Sequence, residues 1–371
     1  MQKINRELER LRGLAIILVV LAHAPLAGMM PEWYGGKSGV DLFFVVSGFV
    51  VFLSLSRKLA AGRAGVRDFY IRRVCRIVPL AIVGALLALV GATFFNQQGN
   101  WSPVSVVGME IFQIFTLTYN YFAAHGSGHD LVHYWSLNVE EHFYLLLPLF
   151  LFAVQQFRFR VGLLLAWIAL SSFVIRPFAG TTWWSVWDFD PTKLITYGSH
   201  CRFDGLALGV LLGLCFTGGY WPVASDEPVE RFISRALGWA AVSVLAAIGP
   251  AYYNLSGVPV VTGAAGILVF LATFERGYVL PLWKISRLLE HVGARSYTLY
   301  ILHPVTWFFF ANWLRIPVRG LQALSPAVQI SSIAAYLGCT FLVVELSYRL
   351  LERPCIAWGR SWSLKAQFAK S

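Results

Sequence analysis

Gly39-Val40-Asp41-Leu42-Phe43-Phe44-Val45-Val46-Ser47-Gly48-Phe49-Val50-Val51-Phe52-Leu53-Ser54-Leu55-Ser56 carries one charge across its whole length. A helix needs about 20 mostly apolar residues to cross the hydrocarbon core of a bilayer. Comparable apolar runs cover 11–30, 77–95, 104–122, 136–154, 161–179, 202–217, 236–253, 258–274, 296–314 and 326–348. No polar stretch between them is long enough to fold alone. The expected fold class is therefore all-α, a single polytopic membrane domain over 1–371 with no appended soluble domain.

Composition agrees. Of the 371 residues, 57% are hydrophobic and only 13% charged, with a mean hydropathy of +0.62. A soluble domain carries roughly a quarter charged residues, so about half the expected charge is missing. The abundance of Phe and Trp suits rings at the lipid–water boundary. The net charge of +11 is read as membrane topology, not as nucleic-acid binding. Cys75, Cys201, Cys215, Cys339 and Cys355 show no CxxC pair, and no metal is expected. Basic residues before the first run and Ala22-His23-Ala24 after it imitate a signal peptide. Pro25 disfavours cleavage there, so the segment reads as a retained helix.

Lys and Arg concentrate in cytoplasmic loops, which makes them a test of topology. With the N-terminus inside and 104–122 not crossing, the inner segments hold 24 of the 30 basic residues. If all eleven runs cross, the split becomes 16 inside and 14 outside, which is no bias. The expectation is about ten transmembrane helices plus one re-entrant or interfacial segment, 104–122, with both termini cytoplasmic. The polar residues Glu110, Gln113, Thr116, Thr118 and Asn120 fit that non-spanning role.

Ionisable residues inside membrane helices are costly, and each is a functional candidate. Arg12 and His23 lie eleven residues apart, on nearly one helix face and about 16 Å apart along the axis. A snorkelling Arg and a satisfied core His are the bland alternative. Asp41 reads as a helix N-cap or as part of a polar site, and Ser47-Gly48 as a packing pair. Arg72-Arg73-x-x-Arg76 in the basic loop 57–76 suits positive-inside topology. It equally suits a phosphate-rich cytoplasmic ligand, because guanidinium forks match phosphate oxygens.

His133-Tyr134-Trp135-Ser136-Leu137-Asn138-Val139-Glu140-Glu141-His142-Phe143-Tyr144 places two carboxylates among His and Tyr at the start of a helix. A cap needs one carboxylate, so Glu140 and Glu141 are catalytic candidates. Arg202-Phe203-Asp204-Gly205 adds a charge pair at an outer helix end. At least three of His23, Asp41, Glu140, Glu141, Arg202 and Asp204 are expected to share one polar cavity. Tyr144 and His303, the latter before the kinking Pro304, are substrate-site or structural polar candidates. Glu352 is expected to pair with Arg349 or Arg353.

Arg-x10-His, Gly-Val-Asp-Leu-Phe-Phe-Val-Val-Ser-Gly-Phe, Arg-Arg-x-x-Arg-Ile-x-Pro, Trp-Ser-Leu-x-x-Glu-Glu-x-Phe-Tyr, Arg-Phe-Asp-Gly and Tyr-x-x-Glu-Arg-Pro occur in that order. The set resembles the integral-membrane acyltransferase-3 family of bacterial O-acyltransferases, over a core of about 9–354. The resemblance implies residence in the bacterial cytoplasmic (inner) membrane. It also implies transfer of an acyl group, usually acetyl from acetyl-CoA, to a hydroxyl of an extracytoplasmic or lipid-linked glycan. Family acceptors include exopolysaccharide, lipopolysaccharide, peptidoglycan and signalling oligosaccharides. It assigns Arg12 and His23 as the essential pair and Arg73 and Arg76 as donor-side arginines.

His142 departs from the family, which often has Gln there. The chain ends soon after its last helix, so it is expected to lack the extracellular hydrolase-like domain of longer members and to complete transfer with the membrane domain alone.

The chemistry follows. His23 is the expected base, oriented by Glu140, Glu141 or Asp41. Arg12, Arg72, Arg73 and Arg76 would hold the CoA phosphates while the pantetheine arm, roughly 15–20 Å long, threads inward a distance comparable to the rise from Arg12 to His23. The expected partners are acyl-CoA, a glycan or glycolipid acceptor and membrane lipids. The rival reading is a glycan or lipid transporter or flippase, which buried charges and broken helices suit as well.

Overall fold

The structure is a computed structural model that describes residues 5–23, 37–59, 61–96, 99–126, 130–223, 227–248, 257–315 and 324–368. The C-terminal ends of runs 11–30 and 236–253, with the Ala24-Pro25 step, lie outside the described residues. All regular elements among the described residues are helical. They are α1 (Arg6–His23), α2 (Ser38–Leu59), α3 (Gly62–Phe94), α4 (Val104–Phe115), α5 (Tyr119–Ala124), α6 (Trp135–Ala153), α7 (Phe157–Ala179), α8 (Pro191–Tyr197) and α9 (Ser199–Thr217). There follow α10 (Pro228–Ala247), α11 (Gly257–Ala272), α12 (Trp283–Ala294), α13 (Ser296–Trp313), α14 (Pro326–Ser347) and α15 (Arg353–Phe368).

Five stretches are long and apolar enough to cross a membrane: α2, α3, α7, Pro191–Thr217 and Pro326–Trp362. The other runs form helices that are shorter or less apolar. The eighteen-residue α1, for instance, carries Arg6, Glu7, Glu9, Arg10 and Arg12 in its first two turns. The long helices also turn bulky apolar side chains outward, among them Leu163, Leu165 and Phe173 on α7 and Ile330, Leu342 and Leu346 on α14. Helices apolar on their outer face belong in lipid. The chain is an integral membrane protein.

Run 104–122 is not one helix. It divides into α4, twelve residues and about 18 Å long, and the six-residue α5. Leu117 between them takes a left-handed φ of 59°. That backbone costs a non-glycine residue about 1–2 kcal/mol, and His142 ties it down by bonding through Nε2 to the Leu117 carbonyl at 2.7 Å. Its other ring nitrogen meets the Ser199 hydroxyl at 2.7 Å. The residue that departs from the family pattern thus staples the α4–α5 break to α6 and α9.

Small residues set the frame. A Cβ on Gly48 would lie 2.1 Å from the Leu206 carbonyl oxygen, and one on Gly209 would lie 2.2 Å from that of Val45. α2 and α9 therefore cross with their backbones touching. α1 and α12 meet in the same way, through Gly13 against Leu289 and Gly293 against Glu9. α12 has no apolar run to announce it, because it is short and charged on one face (Lys284, Arg287, Glu290).

Candidate active site

A cavity of about 660 Å³ opens among the N-terminal parts of α1 and α3 and the C-terminal part of α2 and continues between α2, α6 and α13. Along α2 alone its lining runs from Val40 to Lys58, roughly 27 Å of helix rise. Arg12, Arg72, Arg73 and Arg76 all line it. So do Ser136, Glu140 and Tyr300.

The four arginines are held differently. Arg12 bonds to Glu9 and to the Ser296 hydroxyl, both at 2.9 Å, which joins α1 to α13. Arg72 shares Asp68 with Lys58. Arg73 lies over the Tyr144 ring, 4.0 Å from its centroid, and Arg76 forms no hydrogen bond or ion pair among the described residues. Those two guanidiniums are therefore committed to no protein carboxylate. The lining holds seven cationic side chains against three carboxylates, Glu9, Glu140 and Glu275.

Glu140 sits between that cationic end and Ser136. Its two oxygens accept from the Ser47 hydroxyl at 3.2 Å and from the Tyr144 hydroxyl. Ser47 thus has a polar partner besides its place beside the Gly48 crossing. Glu141, one residue on and so about 100° round the helix, does not line the cavity, and its buried Oε1 has no hydrogen-bond partner among the described residues.

Beyond Tyr300 lies an imidazole cluster. The rings of His23 and His303 are 5.5 Å apart, and those of His303 and His133 are 5.9 Å apart. Tyr300 joins the cluster to the cavity: its hydroxyl donates to the His133 carbonyl at 2.6 Å and lies 2.5 Å from the Ser136 hydroxyl. Pro304 has no N–H, which leaves the Tyr300 carbonyl without its helical donor. His303 Nδ1 fills that role at 2.9 Å. His23 Nδ1 likewise meets the Val19 carbonyl at 2.9 Å. A carbonyl can only accept, so both rings carry hydrogen on Nδ1 and keep Nε2 as the basic nitrogen.

Sequence reasoning expected a carboxylate to orient His23; the carbonyl one turn back does so. Asp41 lies elsewhere, in a fully buried ion pair with Arg202 at 2.5 Å. Asp204 forms a second one with Arg176, also at 2.5 Å, and accepts from Thr262 at 3.3 Å. Of the six residues expected to share a cavity, only Glu140 lines this one. The others separate because a buried charge needs an opposite charge beside it, and Arg176, which completes one pair, was not singled out in the sequence.

Two further expectations change. Glu352 accepts from Thr298, whereas Arg349 pairs with Glu345 at 2.5 Å and Arg295 pairs with the same carboxylate. His303 is a member of the imidazole cluster, which His133 and Tyr300 complete; neither of those two is among the site residues expected from the sequence. Their signal was their position around Trp135 and Pro304, where helices start or break. Among the described residues no group of three His, Cys, Asp or Glu is placed to hold a metal ion.

The family model for the acyltransferase domain of acyltransferase-3 matches residues 5–351. The chain belongs to that family. It is 26% identical over 376 residues to the peptidoglycan O-acetyltransferase OatA of Listeria monocytogenes, covering 94% of this chain and 55% of that protein. A putative O-acetyltransferase of Staphylococcus aureus is 26% identical over 371 residues, with 94% and 56% covered. A putative peptidoglycan O-acetyltransferase of Bacillus subtilis, YrhL, is 25% identical over 384 residues, with 96% and 56% covered. The chain thus spans about half the length of the curated relatives it matches. No solved structure matches.

Proposed function

We propose that this acyltransferase-3 member is a membrane O-acetyltransferase, moving acetyl from cytoplasmic acetyl-CoA to a hydroxyl of an extracytoplasmic or lipid-linked glycan. One observation supports the reading best: a single cavity runs from an arginine-lined end to Tyr300, whose hydroxyl bonds the His133 carbonyl at the edge of the His23–His303–His133 cluster. The cavity's cationic excess of four suits the roughly four negative charges of CoA, about two on the 3′-phosphomonoester and about one on each phosphorus of the diphosphate bridge. Two of the relatives are named for peptidoglycan, which makes peptidoglycan the first acceptor to test. The accompanying topology has ten crossings of the bacterial cytoplasmic membrane, α4–α5 on the outer side and both termini inside.

In this reading Arg12, Arg73 and Arg76 grip the phosphates and the pantetheine arm lies along α2 toward Ser136. The acceptor hydroxyl gives its proton to His23 Nε2 as its oxygen bonds to the acetyl carbon. The carbon–sulfur bond breaks, and the CoA thiolate leaves and takes up that proton. Holding donor and acceptor at this spacing supplies proximity. Glu140, fixed by Tyr144 and Ser47, is the counter-charge that stays off Arg73.

The test is full-length protein in detergent with radiolabelled acetyl-CoA and peptidoglycan fragments. Label should reach acceptor hydroxyls with the parent and fall at least a hundredfold with His23→Ala and Arg73→Ala. Equal transfer by those variants overturns the reading. Glycan movement across vesicles with no acetylation favours a transporter instead.

A further inference from the structure

The family match ends at residue 351, yet the cavity lining does not. Arg360, on α15, is part of it. α15 is seated directly on the arginine-bearing stretch of α3: a Cβ on Gly359 would lie 2.8 Å from the Cys75 Cβ and 3.7 Å from the Arg72 Cα. Gly359 is buried and Arg360, the next residue, is exposed, so the contact fixes the helix while leaving the guanidinium open to solvent. Among the described residues Arg360 makes no hydrogen bond or ion pair. The exposed Trp358 and Trp362, with rings 5.4 Å apart, lie on the same helix.

We infer that Arg360 is a donor-binding residue, a further arginine for a phosphorylated nucleotide, contributed by a helix outside the matched family region. The inference rests on the acetyl-CoA reading and deepens it. A helix whose backbone meets α3 at Cys75 and Arg72 places its next residue beside the arginine-bearing stretch, in the same lining as Arg72 and Arg76. A guanidinium with no internal partner keeps its full fork for phosphate oxygens. Its exposure makes its contribution modest and salt-dependent.

The experiment uses full-length protein in detergent, with 3′,5′-ADP and acetyl-CoA as titrated probes and acetyl transfer as the second readout. Arg360→Ala should weaken 3′,5′-ADP binding about fivefold at low salt and Arg360→Glu more. KM for acetyl-CoA should rise in step while kcat holds. Arg353→Ala, on the same helix but outside the lining, should bind like the parent, which controls for a general change of surface charge. High salt should narrow the gap between parent and Arg360→Ala. If the parent binds and transfers but Arg360→Ala binds 3′,5′-ADP equally well, the role of Arg360 is refuted and the acetyl-CoA reading stands. If the parent neither binds acetyl-CoA nor transfers acetyl, the reading beneath falls and takes this inference with it.

Discussion

Tyr144→Phe removes one oxygen and should be felt in donor binding. That hydroxyl donates to Glu140, and the ring beneath it carries the Arg73 guanidinium 4.0 Å from its centroid. Phe keeps the ring, so the cation–π contact survives. What is lost is a hydrogen bond to an ionised carboxylate, about 1.5–3 kcal/mol. Glu140 is then held by Ser47 alone, at 3.2 Å, and is released toward Arg73, where it competes with the donor phosphate.

If the whole hydrogen-bond energy opposed binding, donor affinity would fall about 10- to 150-fold. Water entering the cavity replaces part of the lost bond, so the expected rise in KM is near the lower bound. The fold itself should change little, because Glu140 faces the cavity. The assay is equilibrium binding of acetyl-CoA with steady-state transfer, on the parent, Tyr144→Phe, Glu140→Gln and the double variant. Tyr144→Phe should raise KM with little effect on kcat, and adding Glu140→Gln should restore donor affinity. A loss of kcat at unchanged KM, or a double variant no better than Tyr144→Phe, refutes the argument that Tyr144 restrains a competing charge.

Arg73→Lys keeps the charge but loses the fork, so donor affinity should drop about tenfold, most of the way to Arg73→Ala, in the same binding assay. Arg176→Met leaves Asp204 buried with Thr262 as its remaining neighbour; thermal unfolding in detergent should show a loss of about 3–5 kcal/mol, largely recovered in Arg176→Met/Asp204→Asn. Gly209→Leu forces a side chain into the Val45 backbone at the α2–α9 crossing, and size-exclusion chromatography should find little monodisperse protein. His23→Gln keeps an amide nitrogen but no base, and should lower kcat by about 10²–10⁴-fold with donor affinity intact.

The helices were legible where apolar runs were long, since nothing but a helix or closed barrel satisfies the backbone in lipid. Their ends were not. α3 begins fifteen residues before its apolar run, at Gly62, because the basic stretch expected to be a loop continues the helix toward its N-terminus. α12 stayed hidden because its pattern is charged on one face and its partner, the Gly13 side of α1, is distant in sequence. In the site, the arginines announced themselves by charge density. The pairing of carboxylates was not legible, because helical periodicity says which residues share a face but not which helix that face meets. Asp41 and Glu140 look equivalent as intramembrane carboxylates, yet one faces Arg202 and the other the cavity.

Arg12 and His23 are carried by one unbroken helix that is clamped to α12 along its N-terminal half. α1 therefore works as a ruler with a mark at each end. One added residue between the marks would swing His23 by about 100° and lift it by about 1.5 Å, turning the imidazole away from His303. Restoring the face takes a whole turn, which lifts the ring by about 5.4 Å and lengthens its separation from Arg12 by the same amount. Substitution along this helix tests side chains, whereas insertion tests the distance itself.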